Sequence, residues 1–185
     1  MRHRVSVLAA LWVAAGMAFG TVSCVAAESS VQSLKLAFVY NFAKFTTWPT
    51  ETFSSPASPI QLCVTRSGED YSTALAALDG KTVQNRSVRT RLASRLEDLA
   101  GCHVVFIPES DARDATEYLR AARTGKALTV GDADAFIAQD GMIALVNAGN
   151  RIQFDVNLDA VQRAGLRVSA QMLKLARTVQ DARSH

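Results

Sequence analysis

Three short apolar runs constrain the fold most: Ile60-Gln-Leu-Cys-Val-Thr65, Cys102-His-Val-Val-Phe-Ile107 and Ala127-Leu-Thr-Val130. They lack the polar alternation of a strand with one wet face. Each therefore reads as a strand buried on both sides, as in a parallel sheet covered by helices. The intervening segments agree. Ser67-Gly68-Glu69-Asp70 opens a helix with Tyr71, Ala74, Leu75 and Leu78 inward, and Asp79-Gly80 stops it. Pro108 closes the second run, and Ser110 is placed to cap a helix over Asp111–Arg123, with Ala115, Tyr118, Leu119 and Ala122 inward and Gly125 at its end.

Other elements fit around this frame. Leu34, Phe38, Phe42, Phe45 and Trp48 recur at helical spacing between Ser33, a candidate cap, and the breaker Pro49, while Leu36, Val39, Tyr40 and Ala43 widen the apolar arc. Thr50–Pro59 is rich in proline and serine and reads as a loop. Lys81–Thr90 alternates around Val83 and Val88 as an edge strand or a loose hairpin turning at Asn85-Arg86, and Leu92, Leu96 and Leu99 mark a short helix ending at Gly101. Gly131-Asp132-Ala133-Asp134 leads into a short helical segment at Ala135–Ala138. Gly141–Asn147 and Arg151–Asn157 form a hairpin across Ala148-Gly149-Asn150. Asn157 caps Leu158–Ala164, and Ser169 caps a closing helix with the stripe Met172, Leu173, Leu175, Val179. The expectation is one α/β domain, with a mostly parallel central sheet flanked by helices and an antiparallel hairpin at one edge.

Residues 1–27 stand apart as a signal peptide: Arg2 and Arg4, an apolar core from Val5 to Gly20, then Val25-Ala26-Ala27. Residues 28–185 form the domain. Cys24 offers a lipoprotein alternative, although Thr21-Val22-Ser23 is a poor approach to a lipidated cysteine. Removing two arginines and no acid lowers the formal charge from +3 to +1. The basic precursor is thus no argument for nucleic acid, and its cations neither cluster nor interleave with aromatics. Cys63 and Cys102 remain, an even count that suggests a bond in an oxidising compartment; two small buried hydrophobes that never meet are the alternative. A loop of about 40 residues closed by such a bond would contribute roughly 3–4 kcal/mol.

Enzyme signatures are missing: no G-x-S-x-G elbow, no Walker loop, no G-x-G-x-x-G after a strand. His103 follows Cys102 in a strand, so the two side chains point to opposite faces and cannot form a dyad. Asp111 with Asp114, and Asp132 with Asp134, sit at helix starts, where carboxylates complement the dipole. No catalytic, cofactor or metal site is expected. Pro108-Glu109-Ser110 and Gly131-Asp132 lie at carboxyl ends of strands, where open α/β sheets bind ligands, which leaves a periplasmic solute-binding module as the alternative function. In the last hairpin Ile152, Phe154 and Val156 take one face, and Arg151, Gln153 and Asp155 the other.

Several stretches together resemble the YfiR family. They are Leu36-Ala37-Phe38-x-Tyr40-Asn41-Phe42-x-Lys44-Phe45 with Trp48-Pro49, Leu78-x-Gly80-Lys81-Thr82-Val83, and Leu99-Ala100-Gly101-Cys102-His103-Val104-x-Phe106-Ile107. Gly141-Met142-Ile143, Asn150-Arg151-Ile152-x-Phe154-Asp155-Val156-Asn157, Gly165-Leu166-x-Val168-Ser169 and Leu173-x-Leu175-Ala176-Arg177 complete the set. The resemblance implies a periplasmic α/β protein that represses a membrane-bound diguanylate cyclase through its periplasmic sensor domain, lowering cyclic di-GMP and biofilm formation. It also implies relief by redox state and by an outer-membrane lipoprotein, and a homodimer in some members. Cys63 and Cys102 match one of the family's disulfide positions; the second pair of some members, near the last hairpin, is missing here. Partner contacts are expected at Tyr40 and Trp48 on the first helix, Arg151 and Asp155 on the hairpin, and Val161 beyond it.

Overall fold

The computed structural model of the chain describes residues 31–65, 71–149 and 151–181; the expected signal segment, Cys24, the expected helix start at Ser67–Asp70 and His185 lie outside them. In chain order the elements are α1 (Val31–Lys44), β1 (Thr46–Thr47), β2 (Ile60–Thr65), α2 (Ser72–Ala76), β3 (Thr82–Val83) and β4 (Arg86–Ala93). β5 (Val104–Ile107), α3 (Ala115–Thr124), β6 (Leu128–Gly131), β7 (Ile143–Ala148) and β8 (Arg151–Asn157) follow. The chain continues through α4 (Leu158–Arg163), β9 (Arg167–Val168), α5 (Ala170–Leu173) and β10 (Thr178–Gln180).

Eight strands form one sheet in the order β10-β8-β7-β6-β5-β2-β4-β3, and β1 pairs with β9 in a separate two-stranded sheet. From β4 through β2, β5 and β6 to β7 every pairing is parallel. β7 and β8 form the expected antiparallel hairpin, with Ala148 opposite Arg151, and β10 extends that side by pairing parallel to β8. β3 folds back antiparallel on β4 at the other side. The α/β architecture expected from the sequence is therefore the one observed.

Alternate residues of the central strands divide between two cores, as period-2 geometry requires. Leu62, Val64, Val104 and Phe106 join residues from α1, α2, α4 and α5 on one face. Cys63, Val105 and Ile107 join Leu99, the inner residues of α3 and Phe136 on the other. Cys63 and Cys102 are bonded within the second core, with their Cα atoms 6.0 Å apart, because β2 and β5 are neighbours.

Local departures have identifiable causes. α1 ends at Lys44 and not at Trp48: Thr46 Oγ1 donates back to the Phe42 carbonyl at 2.8 Å, and the chain turns into β1. Its sunken face is Leu36, Val39, Phe42 and Ala43, while Leu34 is exposed. Leu92 belongs to β4, so only Leu96–Leu99 forms a helical turn, of 3-10 type. The β3–β4 turn falls one residue early, at Gln84-Asn85, both with positive φ (49° and 64°) as a two-residue hairpin requires. α3 starts at Ala115, after a 3-10 turn at Glu109–Asp111, and Ser110 does not cap it. Ala135–Ala138 is a run of turns around buried Phe136. Asn157 and Ser169 do cap their helices, accepting from Ala160 N and Met172 N at 3.0 and 3.1 Å. The closing helix stops at Leu173, and Val179 falls on β10.

Candidate functional site

At the carboxyl ends of the parallel strands the turns are tied together by charge. The Lys35 ammonium of α1 reaches Asp132 Oδ2 at 2.6 Å, with side chains only 12% and 7% exposed. Asp132 Oδ1 accepts from Glu109 N, so one carboxylate links the turns after β5 and β6 to the helix above them. Asp132 is therefore a cross-link and not the expected helix cap. The Thr65 hydroxyl at the end of β2 donates to Asp111. Burial raises the Asp111 carboxyl above its usual range; the Thr65 hydrogen bond opposes that, and the Asp114 charge adds to it. Asp114 makes no side-chain capping bond. Among the described residues no group of three or more His, Cys, Asp or Glu is placed to hold a metal ion.

The expected contact residues do not form one patch. Tyr40 is half-buried beside β3: its hydroxyl donates to the Thr82 carbonyl at 2.8 Å, and Lys44 and Lys81 stand 5.0 and 5.6 Å from its ring centroid. Trp48 is buried, and its Nε1 donates to the His103 carbonyl at 3.2 Å, an anchor and not a surface ring. Val161 is wholly inside the first core. Arg151 and Asp155 do share the outward face of β8, while Phe154 packs on Phe42 with centroids 4.9 Å apart. Arg151 is exposed; Asp155 is clamped by Arg177 through two bonds, Nε at 2.9 Å and Nη2 at 2.5 Å.

Three features escaped the sequence reading. Leu175, just before β10, and Val179, on that outermost strand itself, are exposed, although they read as a helix stripe. Asp140 lies between Arg123 and Arg163 over a cleft of about 230 Å³ floored by Met142, Ala160 and Ala164, so both guanidiniums there are already spent on a carboxylate. Third, the Phe53 ring stacks on His103 at 4.6 Å and 14°, with the Arg86 guanidinium 3.8 Å from the Phe53 ring centroid. His103 Nδ1 accepts from Gln61 N at 3.0 Å, and burial lowers its pKa, as does the Arg86 charge, against the opposing effect of a backbone bond at Thr52. The only hint of this cluster in the sequence is that Phe53 is the one large apolar residue in a polar loop.

A family profile described as YfiR/HmsC-like matches residues 32–177. Among solved structures, a conserved domain protein from Vibrio cholerae O1 biovar El Tor superposes with a TM-score of 0.55 at 9% identity, covering 81% of this chain and 60% of that one. The likeness is one of fold, and the chain spans only those three-fifths of its neighbour's length. An ABC domain in complex with L-Trp from Streptococcus pneumoniae gives a TM-score of 0.49 at 13% identity, covering 65% of this chain and 55% of that chain. That similarity is too slight to carry an argument.

Proposed function

We propose, since the chain belongs to the YfiR/HmsC-like family, that it is a non-catalytic periplasmic regulator which holds a membrane-bound diguanylate cyclase inactive by gripping the cyclase's periplasmic sensor domain. The observation that carries this reading is the family match over residues 32–177. At family level it supports a periplasmic regulator of cyclic di-GMP signalling. Among the described residues no helix is long and apolar enough to cross a membrane, in keeping with that role.

The mechanism is population shift. A repressor must bind the inactive cyclase more tightly than the active one; moving an equilibrium from 99:1 to 1:99 takes about 5.5 kcal/mol of differential affinity. Capture of the regulator by an outer-membrane lipoprotein would withdraw it from that equilibrium and relieve repression. The contact surface centres on the outward face of β8, with Arg151 reaching the partner directly and Asp155 held ready by Arg177. Tyr40 and its lysines form a second contact at the β3 side, while Trp48 and Val161 support the surface from within.

The experiment is complementation. Deleting the chain from its host should raise cellular cyclic di-GMP, and the wild-type chain should restore it. Arg151→Glu, at equal exported level, should not. A level unchanged by deletion refutes the regulatory reading, and full restoration by Arg151→Glu removes that residue from the surface.

A further inference from the structure

Between β1 and β2, residues 49–59 form a strap across the amino ends of β2 and β5. Little apolar surface holds it: Phe53 is half-buried and the serines and Ala57 are at or near the surface. Three tethers do the work. Glu51 pairs with Lys126 at 3.4 Å. Arg86 Nη1 donates to the carbonyls of Ser55 and Ser58 at 3.0 and 2.8 Å while its guanidinium covers Phe53. Phe53 in turn stacks on His103.

The His103 tether works only in one protonation state. Its Nδ1 accepts the Gln61 N–H, so that nitrogen carries no proton in the closed strap. A proton there would set two N–H groups against each other and place a second cation on the Phe53 ring, against which Arg86 already lies. The charged group that acts on the ring is Arg86 from β4, and a backbone hydrogen bond at Thr52 of the strap is its other polar partner.

We propose that residues 49–59 are a proton-operated latch: neutral His103 keeps the strap closed, with its own Phe53 ring seated on His103 and Trp48, and protonation of His103 releases it and exposes both the Phe53 and the Trp48 rings. The sign follows from linkage. Burial, with the Arg86 charge, pushes closed-state His103 below its ordinary 6.5 and outweighs the backbone hydrogen bond at Thr52 of the strap, which favours the charged ring; an open strap restores the ordinary value. The open form then binds the proton more readily, so closure is complete above about 6.5 and is lost as pH falls through the closed-state pKa. Glu51 is held below its ordinary 4.5 by a backbone hydrogen bond and Lys126, a tether that does not involve the His103 ring, so replacing Glu51 tests it separately. An acid-sensitive aromatic surface would give this protein a response independent of its disulfide.

Trp48 reports the event, because its indole donates to the His103 carbonyl and Trp12 is the only other tryptophan. In the full chain carrying Trp12→Phe, Trp48 emission should shift to the red between pH 7.5 and 4.5, with a midpoint below 6.5 and unchanged far-UV circular dichroism. His103→Gln, which keeps a neutral acceptor for Gln61, should abolish the shift; Glu51→Gln should leave its midpoint in place. In parallel, the NMR signals of the His103 ring and the Trp48 indole N–H should move with one midpoint in the wild type. A shift that persists in His103→Gln, two different NMR midpoints, or His103 titration without movement of Trp48 overturns the latch.

Discussion

Cutting the Lys35–Asp132 link should destabilise the chain in an order set by what each change orphans. At 2.6 Å the pair attracts by about 6 kcal/mol at an effective dielectric of 20, which roughly offsets several kcal/mol of desolvation per ion in a site whose side chains are 12% and 7% exposed. The intact pair is thus near break-even, whereas removing one partner leaves a buried charge and costs about 3–5 kcal/mol. Lys35→Met and Asp132→Asn should each fall in that range. Asp132→Ala should lose about 1–3 kcal/mol more, because the Glu109 N–H also loses its acceptor. The double variant Lys35→Met/Asp132→Asn removes both charges and keeps an amide acceptor, so it should recover most of the loss. Thermal melts read this directly: roughly 2–4 °C per kcal/mol for a domain of this size puts Lys35→Met and Asp132→Asn each about 6–20 °C below wild type, with Asp132→Ala lower still. Single losses under about 1 kcal/mol, or a double variant equal to the sum of its singles, would refute the reasoning.

Three further outcomes follow from the same structure. Replacing Cys63 and Cys102 together by alanine releases a loop of sequence separation 39 and should cost about 4 kcal/mol, seen as a lower urea midpoint that reductant no longer changes; a midpoint within error of wild type refutes it. A Cβ at Gly131 would sit 2.3 Å from the Phe136 ring, and one at Gly141 would meet both the ring at 2.3 Å and the Phe136 carbonyl at 2.7 Å. Each alanine variant should therefore cost roughly 1–3 kcal/mol by denaturant titration, and Phe136→Leu should rescue Gly131→Ala better than Gly141→Ala, since only the ring can be shortened. Asp111 is raised by burial, so its contribution to stability is fully present below its ordinary 3.8 and lost as pH rises through the folded value. Asp111→Asn should accordingly raise the melting temperature at pH 7 and not at pH 3; equal effects at both would refute the assignment.

The sheet was legible because a strand buried on both faces leaves an unbroken apolar run, and Ile60–Thr65 and Val104–Ile107 are such runs. The hairpin was legible because β8 alternates: Phe154 is inside and Arg151 outside. Periodicity could not orient α1, since apolar residues occupy most of its positions and two faces compete; contact with the sheet chose Leu36 and Val39. β10 was invisible for the opposite reason, three exposed residues with no alternation and a parallel partner in distant β8. Asp132 misled because capping is a local habit, whereas its actual partner, Lys35, comes from a helix near the start of the domain and only the fold brings them together.

The same distinction decides how the contact residues must be tested. Trp48 and Val161 are buried, so their replacement would alter the proposed regulation only through the amount of folded protein. Asp155 is ambiguous in another way, because reversing it breaks the Arg177 clamp that joins β8 to the start of β10. Tyr40 holds the Thr82 carbonyl of the sheet's outermost strand at the other side, so losing its hydroxyl exposes that edge. Arg151 alone among the five is exposed at a hairpin end. A change in cyclic di-GMP from Arg151→Glu at constant protein level therefore speaks for a surface contact, whereas the same change from Trp48→Ala speaks only for the fold.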